Sequence, residues 1–521
     1  MGILKVILLL LLGCASLSFV AMDDYHKNVQ KRCSFTQYPG LCIDTLLGYG
    51  SSNQHTDFIS ALVNKTIYET KLPSSYFTKL SSNLDIQENK HVNSILENCQ
   101  DLMSMSIQRL EQSLLALRKT RKKNKEDIQT WISAALTFQQ TCKDSADSIG
   151  PSMGHISDKM DYLTQLSSNP LALVNRITGD EVKNVTSRRQ DFPSWLTVRE
   201  RKMLQASTIK ANAVVAKDGT GNYRTISEAI NAASGGRFVI YVKAGVYNEK
   251  IRTKKDGITL IGDGKYSTII VGDDSVGGGS SLPGSATFTV TGDGFIARDI
   301  GFQNTAGPEG RQALALYVAS DHAVFFRCSI SGYQDTLYAL ALRQFYRECD
   351  IYGTIDFIFG NAAAVFQNCY LALRNPRKGS SYSVILANGR SNPGQNTGFS
   401  VQNCRITASS DFSPVKHQFN SYLGRPWKQY SRSVVMQSTI DDVISSRGWV
   451  EWPGAGSSVT KTLYFAEFAN TGPGAGTSNR VTWPGFHVIE ADEAMKFTVK
   501  NFIAGTSWLP STGVTFIAGL K

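Results

Sequence analysis

The chain has 521 residues, 42% of them hydrophobic and 19% charged, with 44 Gly, 15 Pro and a formal net charge of +11. A chain of that length and composition is globular and requires two or three folding units; disorder, collagen and coiled coil are excluded.

The first 21 residues carry Lys5, an apolar run from Val6 to Leu12, and then the small residues Cys14, Ala15, Ser16, Ser18 and Ala21. This pattern reads as a cleaved secretory signal. No later segment approaches ~18 uninterrupted apolar residues, so a secreted product with no membrane span is expected. Residues 22–187 are poor in glycine and carry apolar residues at helical spacing, as in Ile95, Leu102, Met103, Ile107, Leu110, Leu114 and Leu117. That periodicity predicts a helical bundle.

Residues 188–204 are polar and basic, with Arg188-Arg189 and then Arg199-Glu200-Arg201-Lys202-Met203-Leu204. A basic run of this kind is either a solvated linker or a processing site, and cleavage would leave a product starting near Gln205. From Ala211 onward glycine becomes frequent, and short β-branched runs such as Phe238 to Val242, Ile258 to Ile261 and Thr287 to Val290 recur between turn residues. That half is predicted to be all-β.

Four segments of this half share one pattern: Phe325 to Ile330, Tyr346 to Ile351, Phe366 to Leu371 and Val401 to Ile406. Each has an aromatic or Val, two residues, Cys, one residue and an aliphatic, and the cysteines fall at 328, 349, 369 and 404. The first two steps are 21 and 20 residues. A step of that size is one coil of a parallel β-helix. Stacked strands lie about 4.8 Å apart, within the Cα range of a disulfide, so equivalent cysteines of adjacent coils are candidates to bond. Spacing does not choose among Cys328, Cys349 and Cys369. Eight cysteines remain once Cys14 leaves with the signal, an even number suited to an oxidising compartment. Two sequons begin at Asn64 and Asn184.

The same arithmetic brings two carboxylates together. Asp335 and Asp356 each lie seven residues after a cysteine of the repeat and share one register on consecutive coils, among aromatic and apolar residues. Two such groups cannot both ionise easily, so one rises in pKa and the other stays low, giving an acid and base pair. An aspartate ladder capping turns is the structural alternative. Gln312, about one coil before Asp335, and Gln334 offer amide donors for an oxyanion, and Arg425 can hold an ionised aspartate through both oxygens.

Four blocks, Ala244-Gly245-Val246-Tyr247-Asn248-Glu249, Gln334-Asp335-Thr336-Leu337, Asp356-Phe357-Ile358-Phe359-Gly360 and Leu423-Gly424-Arg425-Pro426-Trp427, resemble in order the signature blocks of plant pectin methylesterases. The segment from about Tyr25 to Ser187 resembles the inhibitor-like pro-region that precedes many of those enzymes. The resemblance implies an all-α helical bundle over 22–187, a linker over 188–204, and an all-β right-handed parallel β-helix over 205–521. It implies hydrolysis of galacturonate methyl esters in homogalacturonan, with release of methanol and no cofactor or metal.

Residue by residue, the resemblance makes Asp356 the nucleophile, oriented by Arg425. Asp335 becomes the proton donor and then the base, while Gln312 and Gln334 stabilise the tetrahedral intermediate. It places Tyr338, Phe359, Trp427 and Trp449 along the sugar subsites, together with Gln312 and Arg425. It pairs Cys349 with Cys369, Cys33 with Cys42, and Cys99 with Cys142. The Arg201-Lys202-Met203-Leu204 run is similar to sites cut by subtilisin-like proteases. Implied partners are methyl-esterified pectin, that protease and a proteinaceous pectinesterase inhibitor, for a monomer of the cell wall and apoplast.

One departure is the loop Gly277-Gly278-Gly279-Ser280-Ser281-Leu282-Pro283-Gly284, where a family threonine contact falls near Leu282; a flexible loop there would alter subsite preference, and that contact is left unassigned. The Gly150-Pro151-Ser152-Met153-Gly154 match to a hydrolase elbow follows a helical stretch and reads as a loop. Asp273-Asp274 and Asp441-Asp442 read as surface turns, and seven scattered histidines argue against zinc. From Gln205 onward the net charge is +7, which suits a polyanionic wall polymer. Nucleic acid is disfavoured by the secretory signal and by the lack of a basic recognition helix.

Overall fold

The computed structural model describes residues 23–48, 57–83, 90–119, 124–177, 211–380, 382–454 and 456–521. The expected signal segment, the basic linker with its cleavage run, and Asn184 lie outside them. The chain divides into two compact units between Glu181 and Val182.

The first unit is helical: α1 (23–33), α2 (Pro39–Gly48), α3 (Phe58–Asn83), α4 (Lys90–Lys119), α5 (Lys125–Asp147) and α6 (Gly154–Asn175). The apolar stripe of α4 faces inward as its period requires, with Leu102, Met103 and Leu110 fully buried. Cys33–Cys42 closes the α1–α2 corner and Cys99–Cys142 ties α4 to α5, at Cα separations of 5.6 and 5.0 Å. Asn64 sits half-buried on α3, and the Thr66 hydroxyl of its sequon donates to the Leu62 carbonyl. Residues 150–154 make the tight turn between α5 and α6, with no strand before it.

The second unit is a right-handed parallel β-helix of three sheets, with 11, 7 and 8 strands among the described residues. Each full coil places one strand in each sheet. One coil contributes Ala323–Phe326, Ser329–Ser331 and Leu337–Ala339; the next contributes Arg343–Arg347, Asp350–Gly353 and Ile358–Gly360. The registry is residue on residue: Phe325 pairs with Tyr346 and Tyr346 with Phe366, while Ile330 pairs with Ile351 and Ile351 with Leu371. The repeated motif therefore builds inner columns. Phe325, Tyr346 and Phe366 stack at centroid distances of 4.9 and 4.6 Å, and each such buried ring contributes roughly 1.5–3 kcal/mol of burial.

The cysteines of the repeat form another inner column, because Ser329, Asp350, Tyr370 and Arg405 pair in sequence just after them. All four, Cys328, Cys349, Cys369 and Cys404, are buried free thiols, so the Cys349–Cys369 disulfide implied by the resemblance is not formed. In-register parallel strands hold their Cα–Cβ bonds side by side, which keeps neighbouring Cβ atoms near the ~4.8 Å strand spacing, whereas a disulfide needs about 3.8 Å.

The β-helix is covered at its first coil and along one outer face. A short helix, Ile226–Ala232, caps the first coil with Ile226, Ala229 and Ile230 in the core. Thr225 and Glu228 form its capping box, and Glu249 accepts the Ile226 and Ser227 amides at 2.8 and 2.9 Å. The Ala244–Glu249 block is thus structural. The C-terminal segment, which carries no repeat signal, folds into short helices whose Val499, Ile503, Trp508 and Leu509 pack on the outer face of the 11-stranded sheet at Val324, Phe326 and Phe345. No helix among the described residues is long and apolar enough to cross a membrane.

Candidate active site

The turn between the 8-stranded and 7-stranded sheets carries Asp335 on one coil and Asp356 on the next. The Asp335 amide donates to the Ile355 carbonyl at 3.0 Å, and the strands that follow pair Leu337 with Ile358, so the carboxyl-bearing residues stack as the 21-residue spacing requires. Both adopt left-handed backbone, with φ of 60° and 50°. A non-glycine residue there costs on the order of 1–3 kcal/mol, and such strain persists where the surrounding structure over-determines it. The two carboxyls lie close enough for the charge of Asp356 to act on Asp335.

Arg425 reaches Asp356 from the seven-stranded sheet, in the same row as Tyr338, Phe359 and Ala387. Its Nε and Nη2 donate to the two Asp356 oxygens at 2.8 and 2.5 Å, and its Nη1 donates to the Tyr382 hydroxyl at 2.7 Å. Asp356 and Arg425 are 5% and 7% exposed, so the pair is shielded and its bidentate geometry is held on all sides. Asp335, 8% exposed, has no hydrogen bond to its carboxyl among the described residues. Burial pushes the Asp335 carboxyl far above the usual carboxylate range, and the negative charge of Asp356 pushes it further. Burial also raises Asp356, but Arg425 opposes the rise directly through charge and hydrogen bonds. Arg425 thus opposes the rise at Asp356 through both charge and hydrogen bonds, and at Asp335 through charge alone.

Gln312 and Gln334 meet through a parallel bridge and line a cleft of about 240 Å³ with Arg311, Thr354 and Arg377. Neither side-chain amide has a hydrogen-bond partner among the described residues, which leaves both free to donate to a ligand. The glycine-rich loop before them is tied down rather than loose: Val276 N donates to the Gln312 carbonyl at 2.9 Å and Gly277 N to the Gly310 carbonyl at 3.0 Å. The start of the loop is thereby anchored beside Gln312.

The aromatic residues divide. Tyr338 and Phe359 stack at 4.2 Å, and Phe359 meets Trp427 edge-on at 6.0 Å, so three of the four expected rings form one margin beside Arg425. Trp449 does not join them. It is fully buried, stacks on Phe465 at 4.4 Å and donates its Nε1–H to Glu467, which also binds Arg480. A ring closed off on both faces offers nothing to a sugar, and the sequence reading of Trp449 is corrected to a core role. The half-buried Trp452 takes the place at the site, with its ring 4.1 Å from the Arg425 guanidinium and 6.5 Å from Trp427. Residue type and proximity in sequence could not separate the two tryptophans.

The paired aspartates elsewhere are surface groups in ion pairs: Asp274 with Lys250, Asp441 with Arg405 and Asp442 with Lys416. Among the described residues there is no cluster of three or more His, Cys, Asp or Glu arranged to hold a metal ion.

A stacked β-helix carrying an Arg-bound carboxylate, a second buried carboxyl raised in pKa and two unengaged amides brings together groups suited to hydrolytic chemistry. Residues 212–506 match the family model described as Pectinesterase, and residues 27–173 match that described as Plant invertase/pectin methylesterase inhibitor. The chain is 50% identical over 489 residues to a probable pectinesterase/pectinesterase inhibitor of Arabidopsis thaliana, covering 91% of this chain and 90% of the relative. It is 43% identical to pectinesterase 2 of Citrus sinensis, over 99% of this chain and 100% of the relative. Among solved structures, the pectin methylesterase from carrot superposes with a TM-score of 0.59 at 51% identity, over 60% of this chain and 99% of that one. That from Aspergillus niger gives 0.51 at 30% identity, over 59% of this chain and 98% of that one. The chain belongs to the pectinesterase family and is an enzyme of that class, with an inhibitor-like helical domain ahead of the β-helix.

Proposed function

We propose that the protein hydrolyses the methyl esters of galacturonate units in homogalacturonan through Asp356 and Asp335. The Asp356 carboxylate attacks the ester carbonyl carbon, and the negative charge that develops on the carbonyl oxygen is met by the side-chain amides of Gln312 and Gln334. The bond from carbon to methoxy oxygen then breaks, Asp335 gives its proton to that oxygen, and methanol leaves. Now ionised, Asp335 takes a proton from water, whose oxygen attacks the acyl–Asp356 anhydride; the sugar carboxylate departs and Asp356 is regenerated. Arg425 keeps the nucleophile aligned and favours its ionised form, while Trp427 and Trp452, with the buried Tyr338 and Phe359 packed behind Trp427, line the sugar chain's path.

The observation that carries this reading is the contrast within the pair: an Asp356 held by both oxygens on Arg425, beside a buried Asp335 whose carboxyl has no hydrogen bond among the described residues. A polygalacturonase or pectate lyase reading of the fold would not call for the two unengaged glutamine amides. The test is methanol release from highly methylated pectin by the purified enzyme. Asp356→Asn abolishes it, and near-normal release by that variant would sink the mechanism.

The wider setting is part of the same proposal. The precursor is secreted to the cell wall, a subtilisin-like protease cuts within 188–204 near Leu204, and the monomeric product starts near Gln205. The helical domain over 22–187 restrains activity or export until then, as its likeness to the inhibitor family suggests. N-terminal sequencing of wall-extracted protein checks this; a start upstream of residue 190 counts against it.

A further inference from the structure

A second cavity, of about 450 Å³, lies on the outer face of the eight-stranded sheet and takes no part in the proposed chemistry. Its floor is made of small outward residues on consecutive coils, Gly301 below Ser329, while Gln303 lies below Ser331. Its walls are tyrosines. Tyr352 stands above Ser331 on the next coil, Tyr370 meets Tyr352 edge-on at 6.1 Å, and Tyr266 closes the other side. Tyr266 is 58% exposed, yet its hydroxyl is fixed by Asp350 and by Tyr352 at 2.9 Å. An exposed ring held in place by its own hydroxyl is a prepared surface, since little side-chain freedom is lost when a ligand lies against it.

The charge of the lining selects the class of ligand. Lys265 is satisfied by Asp350 at 2.6 Å, and Arg374 shares the cavity lining with Asp411, so the charges balance and the trough is not a polyanion site. Hydroxyls, an amide and ring faces remain, the lining expected for an uncharged, hydroxyl-rich chain. The groove also leads toward the catalytic turn. Ser331 precedes Asp335, and Tyr352 precedes Asp356, by four residues, which span at most about 14 Å of chain. Arg374 sits over the Tyr333 ring at 3.8 Å and donates to its hydroxyl, joining the groove to the turn that carries Asp335.

We propose that this groove is a secondary binding site for methyl-esterified galacturonan, a stretch of chain whose carboxylates are capped and which is therefore neutral. It holds the polymer beside the catalytic turn and loses its hold as the chain becomes acidic. The proposal rests on the pectin methylesterase reading, and the experiment separates the two. Methanol release is measured from highly methylated pectin and from a short methyl-esterified oligogalacturonate, with the wild type and with Tyr266→Ala and Tyr352→Ala. Expected is a rise of about tenfold in KM on the polymer with kcat unchanged, and unchanged constants on the oligomer. Equal losses on both substrates, or none on the polymer, overturn the groove; absence of methanol release from either substrate by the wild type, both before and after proteolytic removal of the helical domain, overturns the enzymatic reading instead. A readout that needs no turnover is affinity electrophoresis of the Asp356→Asn protein. Tyr266→Ala added to it reduces retardation in gels of highly methylated pectin and leaves retardation in polygalacturonate unchanged. Loss of retardation in both gels overturns the preference for a neutral chain.

Discussion

Each unit of this chain carries four cysteines among its described residues, and the two sets are used in opposite ways. In the helical unit they form two cross-links, each joining segments that approach at a corner or from facing helices. In the β-helix they make a column of buried thiols, each one coil from the next. Composition and compartment are the same for both sets, so neither explains the difference; the direction in which backbone presents the Cβ atoms does. Segments meeting at an angle can aim two Cβ atoms at each other, whereas stacked parallel strands aim them all the same way. The β-helix has no need of the cross-links, because each coil is zipped to its neighbours by backbone hydrogen bonds and by columns such as Phe325, Tyr346 and Phe366.

The contrast extends to function and breaks most visibly there. Every residue given a chemical role lies on the β-helix, so Asp356→Asn is expected to lower kcat by about 10⁴-fold and, by leaving the buried Arg425 charge without its partner, to lower the melting of the β-helix while that of the helical unit is unchanged. Removing a single oxyanion donor by Gln334→Ala costs about 10²–10³-fold. Both are read as methanol release against a scanning-calorimetry trace. A loss of β-helix stability in Gln334→Ala, or kcat kept near normal in Asp356→Asn, would reassign that residue to structure.

Next in size are the cross-links. Closing the 43-residue loop between Cys99 and Cys142 is worth about 4 kcal/mol to the helical unit, and closing the nine-residue loop between Cys33 and Cys42 about 2.5 kcal/mol. Mild reductant should therefore unfold the helical unit at lower denaturant and leave the β-helix transition where it was. Alkylation in guanidinium without reductant, followed by mass analysis, is expected to label Cys328, Cys349, Cys369 and Cys404. An unlabelled Cys349 and Cys369 would restore the disulfide that the resemblance implied.

A smaller effect tests how the β-helix closes its own surface. The side chains of Gln367, Gln402 and Gln437, on successive coils, donate to the carbonyls of Ile517, Gly519 and Lys521 at 2.9, 2.8 and 3.0 Å. The Gln367 and Gln437 oxygens accept the Ile517 and Lys521 amides in return. Five hydrogen bonds at roughly 0.5–1.5 kcal/mol each are offset by the entropy of ordering the tail, so deletion of 517–521 should cost about 2 kcal/mol. Urea unfolding monitored by the β-helix signal checks it.

How much of this was legible follows from which features repeat. The coil, the inner columns and the stacking of Asp335 on Asp356 were readable because a 20- or 21-residue step recurs in side-chain type. Arg425 and the two glutamines were nameable from the chemistry they could supply and from the family resemblance. What did not repeat stayed hidden. The C-terminal helices follow no coil period, and their apolar residues complement an outer sheet face that cannot be seen in a linear pattern. Trp449 and Trp452 lie three residues apart with similar neighbours, and only the fold shows that one is walled in by Phe465 and Glu467 while the other borders Arg425. The thiol column was anticipated in position and misjudged in bonding, since strand spacing fixes the Cα distance but not the aim of the side chains.

The smallest effect expected is also the most direct test of whether the active site works against the stability of the β-helix. Asp335 is a buried acid whose carboxyl is raised well above its ordinary range, by burial first and by the charge of Asp356 second. Its native state therefore holds a proton that the unfolded chain has already released once the pH exceeds about 4. The resulting stabilisation is full below that pH and is lost progressively as the pH rises through the raised native pKa. Asparagine has no proton to lose and nearly the same shape. Asp335→Asn should thus be inactive yet slightly more stable than the wild type near neutral pH, with the advantage disappearing in acid. Arg425→Gln should act in the opposite sense on chemistry: without the guanidinium, burial lifts Asp356 unopposed, and the acid limb of the kcat profile moves to higher pH. An unshifted limb in that variant, or a stability gain for Asp335→Asn that does not vary with pH, would separate these carboxyls from the coupling on which the proposed mechanism depends.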